Sequence, residues 1–404
     1  MATSLITREG ISCHDEFFWS PAYCADPEGA NARWLADEPI WWSERLGGTV
    51  VVRYDDVKRV MTEHTTFGQS PVYDGAFVDA FSGATLPALD PPEHNVLRKV
   101  VAKHFTASVI ESDFSDRIRA IVNGIVDEFD GDTFEIYSDF TDKLVARVAA
   151  LLIGGDMGDP VLLAKHNASV IAYMRRTRER LDDTEERAEG KQAGDALISY
   201  LSDLYDERTR TEVESTDLLA ALSRTGASKA ESVRMAALSL VAGVDTTVRG
   251  ISNTLLGLLR HRDQLEEVRA DPGLADAAFA EGLRWMTPIS LKHRYLRRPT
   301  ELCGVALAPG DHACVILGAA NRDPRRYERP EQYQVRRKGP KHVAFGVGTH
   351  YCLGAPLATL ETRHTVQVLL ERFPALAADT TNLVFADGPA NRSPRELVIS
   401  TQGE

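Results

Sequence analysis

The chain has 404 residues, 43% of them hydrophobic, with 46 basic against 59 acidic side chains and a formal net charge of −13. That balance excludes a general nucleic-acid binder, which needs a basic stripe, and the apolar fraction is ample for an enzyme-sized core. The five cysteines, Cys13, Cys24, Cys303, Cys314 and Cys352, form no paired metal-type spacing and leave an odd one, so a reduced, cytoplasmic setting fits better than a disulfide framework.

In chain order, the first ten residues hold no apolar run of signal-peptide or membrane-anchor length, so no membrane association is expected. Cys13, His14 and Cys24 lack the further ligands that a zinc site needs. Residues 1–45 are rich in tryptophan (Trp19, Trp34, Trp41, Trp42). Thr49–Tyr54 reads as a strand and Asp55–Met61 as a short helix capped by an acid. Residues 64–89 carry many turn formers and little periodicity. Asp90-Pro91-Pro92-Glu93 predicts a helix start, and His94 and Arg98, four residues apart, share one face of that helix. Two donors on one face suit a pair of carboxylates, although such a face can also be simply solvated.

From 105 to 225 the pattern is a series of amphipathic helices, with a charged, solvated stretch at 175–183. Ser228-Lys229-Ala230-Glu231 then forms a capping-box pattern, and the apolar run behind it continues to about His261. A helix of that length crosses a whole protein of this size. Its middle reads Ala242-Gly243-Val244-Asp245-Thr246-Thr247. Gly243 costs roughly 1 kcal/mol against Ala, and a Thr there can bond back to a carbonyl one turn earlier. Such a polar, distorted patch is either a tolerated kink or a groove for dioxygen beside a proton relay.

Beyond Asp271-Pro272 a further helix carries Glu281 and Arg284 three residues apart, ordinarily a surface pair. Pro288–Leu296 reads as a strand entering the site, Asn321–Pro324 as a turn, and Phe385–Ser400 as a hairpin whose tip lies near the pocket. The run Arg336-Arg337-Lys338-Gly339-Pro340-Lys341-His342 is basic in an acidic chain. Either it is solvated surface or, through electrostatic steering, it docks an acidic partner.

Phe345-Gly346-Val347-Gly348-Thr349-His350-Tyr351-Cys352-Leu353-Gly354 is the most specific stretch. A thiolate ligates a haem iron only where the backbone leaves room for a flat macrocycle, and the three glycines supply that room. Phe345 covers the sulfur side, and backbone N–H groups after the turn donate to the thiolate and help set its potential. Ala355-Pro356-Leu357 looks like a helix start, whose N-terminus favours the anionic sulfur.

This loop resembles the ligand loop of the cytochrome P450 family, F-G-x-G-x-H-x-C-x-G, at every fixed position: Phe345, Gly346, Gly348, His350, Cys352 and Gly354. The resemblance extends over the chain, through His94 and Arg98, the A-G-x-D-T-T segment 242–247, Glu281 with Arg284, and Arg294. It implies a mainly α fold with small β-sheets, the cytochrome P450 fold. It also implies a single domain over 1–404, with the sheets mainly in 45–55, 290–318 and 383–400. The implied cofactor is haem b (iron protoporphyrin IX), with Cys352 as its metal ligand and His94, Arg98, Arg294 and His350 on its propionates. By the same resemblance Ala242 lies against the haem, Thr246 contacts dioxygen, Asp245 helps deliver protons, and Glu281, Arg284 and Arg336 form a buried structural network. Phe77, Phe81, Leu238, Val241 and Ile289 are the implied pocket-lining residues.

The implied activity is a haem-thiolate monooxygenase. It would insert one oxygen atom from O2 into a small-to-medium hydrophobic organic substrate, by hydroxylation or oxidative dealkylation. The substrate would be a substituted aromatic or a secondary-metabolite intermediate. Electrons would come from a separate ferredoxin- or flavodoxin-type donor and its reductase. A peroxide-driven enzyme and a non-catalytic haem carrier or sensor are the alternatives.

Overall fold

The structure is a computed structural model that describes residues 10–69, 78, 80–154, 166–174, 184–211, 217–386 and 388–403. Among the described residues the short strands are β1 (Ile40–Ser43), β2 (Gly48–Val51), β3 (Phe67–Gly68), β4 (Thr133–Glu135), β5 (Leu291–Leu296), β6 (Thr300–Leu302), β7 (Val305–Leu307), β8 (His312–Ile316) and β9 (Val398–Ser400). The largest sheet has the order β1-β2-β8-β5-β3, while β4 pairs with β9 and β6 with β7. β1, β3 and β4 lie outside the segments where the sequence places strands. Each holds four residues or fewer, too short for an alternation to register.

β5 runs antiparallel to β8, with Leu291 opposite Ile316, Lys292 opposite Val315 and Arg294 opposite Ala313. Side chains alternate between the faces of a strand. Leu291, Cys314 and Ile316 therefore join one core with Trp41 and Val50, and Leu296, Ala313 and Val315 join another with Val51, Met61 and Val343. β3 reaches only Leu296 and Tyr295 of β5.

Four helices position the site: α1 (Glu93–Ala102), α2 (Lys229–Arg260), α3 (Ala275–Trp285) and α4 (Ala355–Arg372). The capping box at the start of α2 is complete. Ser228 Oγ accepts from Glu231 N at 3.2 Å, and Glu231 Oε2 accepts from Ser228 N at 2.9 Å. The 32 residues of α2 span about 48 Å and pack against α3, α4 and the helices Asp142–Ile153 and Thr184–Thr211. Through 242–247 the helix is continuous rather than broken, and Thr246 Oγ1 donates to Ala242 O at 2.7 Å.

Two sequence expectations need correction. The helix after β2 starts at Tyr54, so Asp55 and Asp56 occupy its first turn and do not cap it. The acid that accepts from Tyr54 N, at 3.0 Å, is Asp323, brought there by the 321–324 turn. The third member of the Glu281–Arg284 network is Arg337, not Arg336. Arg337 Nε donates to Glu281 Oε1 at 2.9 Å, and its side chain is 8% exposed. Arg336 points the other way, 59% exposed, toward Glu267 and Asp271 on the surface. Consecutive arginines on a turn diverge, and spacing alone cannot say which one turns inward.

Within that network Arg284 Nε and Nη2 each donate to the Glu281 carboxylate at 2.8 Å, and the guanidinium also reaches Asn321 O, Pro330 O and Gln332 O. Asn321 in turn bonds Thr287 Oγ1 through its amide and accepts from Val343 N, both at 2.8 Å. The network thus holds the backbone two residues ahead of Phe345.

Candidate active site

The loop 345–354 is shaped by two left-handed glycines and a cross-loop bond. Gly346 (φ 69°) and Gly348 (φ 73°) take conformations that favour glycine. A Cβ on Gly348 would also sit 3.1 Å from the Thr62 methyl. Gly354 differs from the sequence expectation. Its φ is −79°, and its place is the N-cap of α4, with Pro356 in the first turn. Cys352 N donates to Phe345 O at 2.8 Å, closing the loop. Phe345 is half-buried and edge-on to Phe279 and Tyr351.

The Cys352 residue presents exposed surface, yet its sulfur lies deep enough that burial pushes the thiol pKa up. Hydrogen bonds from the Gly354 and Ala355 amides and the charges of Lys292 and Arg98 pull the other way. These are the donors a thiolate needs. Cys314, by contrast, is fully buried inside β8, its sulfur 3.2 Å from His293 Nδ1, among side chains that leave no room for a macrocycle.

His94, Arg98, Arg294 and His350 come together from α1, β5 and the loop. The His94 and His350 rings lie 4.2 Å apart. Arg98 Nη2 donates to Tyr351 O at 2.7 Å, tying α1 to the residue before the cysteine. Arg294 is 3% exposed and donates to Gln69 Oε1 at 3.0 Å. Burial, together with the charges of its neighbours, lowers the His350 pKa to about 2, and burial lowers that of His94 as well. Nε2 of each histidine is buried with no hydrogen-bond partner among the described residues. Two imidazoles kept neutral beside two guanidiniums fit carboxylates, which would partner those nitrogens and favour their protonation.

On α2, Ala242, Gly243 and Thr246 are exposed, while Leu238 and Val241 before them and Thr247 and Val248 after them are buried. A Cβ on Gly243 would meet nothing within 4 Å. Asp245 is held by a residue the sequence reading missed. Arg249 Nε and Nη2 donate to its two oxygens at 2.9 and 2.7 Å, and Arg249 Nη1 donates to Ser393 Oγ at 2.8 Å. The signal was the i,i+4 spacing itself. Ser393 belongs to a C-terminal hairpin shorter than expected, where Ala386 N bonds Ser393 O and Arg395 N bonds Val384 O, while Val398–Ser400 pairs with β4 instead. Ile289 meets Asn391 of that hairpin in an isolated bridge. Phe81 is fully buried in the main core, and Phe77 lies outside the described residues.

Residues 273–398 match the family model described as Cytochrome P450. The chain is 33% identical over 395 residues to cytochrome P450 monooxygenase PikC of Streptomyces venezuelae, covering 93% of this chain and 91% of that protein. It is 35% identical over 296 residues to 6-deoxyerythronolide B hydroxylase of Saccharopolyspora erythraea, covering 71% and 70%. Among solved structures, P450BioI in complex with hexadec-9Z-enoic acid ligated acyl carrier protein superposes with a TM-score of 0.85. That pair is 27% identical, over 94% of this chain and 99% of that one. The chain belongs to the cytochrome P450 family. It is a monooxygenase of mainly helical P450 fold whose cofactor is haem.

Proposed function

We propose that this enzyme hydroxylates or oxidatively dealkylates an apolar organic molecule, a secondary-metabolite intermediate, with Cys352 as the axial thiolate. The observation that carries the assignment is the loop around Cys352: the residue presents exposed surface, and the Gly354 and Ala355 amides are directed at its sulfur. The names of the relatives, 6-deoxyerythronolide B hydroxylase and mycinamicin IV hydroxylase/epoxidase among them, support the substrate class.

His94, Arg98, Arg294 and His350 would hold the propionates, and Ala242 and Gly243 would leave space for the macrocycle and for dioxygen. The haem, when bound, supplies dioxygen activation and the oxidising equivalent, favoured by the electron push of a thiolate. The protein's own residues handle protons and water. Thr246 Oγ1, now turned to Ala242 O, is a hydroxyl that can rotate to donate toward the exposed side of α2. Once a carboxylate oxygen leaves Arg249, Asp245 can take a proton from water and pass it to the Thr246 hydroxyl as that hydroxyl gives up its own. Leu238, Val241 and Ile289 would shape an apolar pocket that excludes bulk water.

Electrons would come from a ferredoxin-type donor with its reductase, in the cytoplasm. In the basic run, Arg337 is committed to Glu281 and Arg336 to Glu267 and Asp271, so the exposed cations left to steer such a donor are Lys338 and Lys341. The test is turnover with a ferredoxin system under isotopically labelled dioxygen. One labelled oxygen in the product is expected. Activity with hydrogen peroxide and none with the ferredoxin system would replace this reading with a peroxide-driven enzyme.

A further inference from the structure

We propose that Arg234 on α2, together with Thr85, forms an oxyanion subsite at the far end of the substrate pocket, and that the substrates are elongated apolar molecules ending in a carboxylate. The inference rests on the haem-monooxygenase reading above and deepens it.

Residues 234, 238, 241, 242 and 245 recur at three- and four-residue steps and so line one face of α2. Leu238, Val241, Ala242 and Asp245 are site residues, and Arg234 continues their face toward the start of the helix. At 1.5 Å per residue, about 12 Å separates it from Ala242. Its side chain is half-buried where α2 meets the segment 78–90 and the helix Thr184–Thr211. A Cβ on Gly83 would lie 3.0 Å from Arg234 Nη1, so a residue without a side chain makes room for the guanidinium. Ala80, Phe81 and Leu86 of the same segment share a core with Leu238 and Val241. On the helix side, a Cβ on Gly194 would collide with Ala80 O, and Asp195 accepts from Ser82 Oγ at 3.1 Å. The segment ends at Asp90, whose carbonyl accepts from His94 N at 2.9 Å. Its course thus spans from Arg234 to the carboxylate-binding cluster.

Two polar groups at this junction lack partners. Arg234 Nε is buried with no hydrogen-bond partner among the described residues, and so is Oγ1 of Thr85, a residue with no exposed surface two positions beyond Gly83. The neighbouring acids are committed elsewhere. Glu231, three residues before Arg234, accepts from Ser228 N and Oγ at 2.9 and 2.7 Å, and both oxygens of Asp195 accept from Lys191. A buried donor without an acceptor is costly, more so on a charged group, and an arriving carboxylate recovers that cost. Arg234 Nη1 lies against Gly83, which leaves the Nε–Nη2 edge. That edge is the one by which Arg249 and Arg284 grip Asp245 and Glu281. Leu238 and Val241 lie between it and Ala242, so the apolar body of the substrate runs along α2 with its far end at the site of oxidation.

The experiment uses the haem-loaded enzyme with dodecanoic and hexadecanoic acids and their methyl esters. Affinity is read by calorimetry and by the spin-state shift of the Soret band. In the wild type at least one acid should bind about ten- to a hundredfold more tightly than its ester. Arg234→Met should abolish that ratio and Arg234→Lys should keep part of it. Thr85→Val, which keeps the shape and removes the hydroxyl, should lower it about threefold. Haem content and the reduced carbon monoxide spectrum should be unchanged in all three variants. Either of two results overturns the proposal: neither acid binds better than its ester in the wild type, or the ratio survives in Arg234→Met. A ratio unchanged in Thr85→Val would strike the hydroxyl from the subsite. Absence of a thiolate-type spectrum in the wild type would be a failure of the underlying reading, separate from this one.

Discussion

Two carboxylate–arginine pairs, each about one helical turn long, have opposite fates in this molecule. Glu281–Arg284 on α3 is 4% and 2% exposed, and Arg337 and four backbone groups satisfy what the pair leaves over. Asp245–Arg249 on α2 is 24% and 17% exposed, and among the described residues its further hydrogen bond is to Ser393 on a hairpin. The first pair is locked from every side and holds the backbone ahead of the cysteine loop. The second is held firmly enough to be placed but loosely enough to open. Burial and the number of partners, not the pairing, separate structure from chemistry here.

The comparison can be broken most severely at Glu281. Glu281→Gln strips two guanidiniums of their anion in the interior, and the expected loss is about 3–5 kcal/mol of stability by denaturant titration, with poor haem retention. A folded variant within 1 kcal/mol of wild type would show that the network is dispensable. Asp245→Asn should leave the unfolding midpoint and the carbon monoxide spectrum alone while lowering turnover by about a hundredfold. Loss of stability in place of turnover would make this pair structural as well.

Glu361 offers a third case, a carboxylate buried in α4 with no cation beside it among the described residues. It is 4% exposed, Oε2 has no hydrogen-bond partner among the described residues, and burial pushes its pKa from 4.5 up to about 8. Between those values the folded chain keeps a proton that the unfolded chain has released, so stability should fall as pH rises through that window. Glu361→Gln should flatten the slope, stabilising the protein by about 4 kcal/mol near pH 8 and by nothing below pH 4.5. An unchanged slope would mean that the acid finds a partner in solution. The smallest effect belongs to Arg336→Ala. Its ion pairs with Glu267 and Asp271 are exposed, and stability should change by less than about 0.5 kcal/mol. Arg337→Ala alongside it should approach the Glu281 variant.

What the sequence disclosed follows the same division. The capping box at Ser228, the length of α2, the cysteine loop and the histidine–arginine face of α1 were legible because each is a local spacing rule with a local physical cause. The C-terminal hairpin was legible only in part: its arms meet at Phe385 and Pro394, but Val398–Ser400 pairs with the distant β4. Arg337 was not, because the choice between two adjacent arginines is made by the distant Glu281. Asp323 capping the Tyr54 helix was hidden for the same reason, its donor lying 269 residues away. Arg249 could have been found, at i+4 from Asp245, but that spacing carries no meaning until one knows which face looks onto the site.

The central claim is that Cys352 is the thiolate ligand. Its most direct test is the absorption spectrum of the dithionite-reduced protein under carbon monoxide, for the wild type and Cys352→His side by side. A strongly red-shifted Soret band in the wild type, lost in the variant, is the predicted result. A wild-type band at the position of histidine-ligated haem in native protein, or a red-shifted band that survives in the variant, would contradict it.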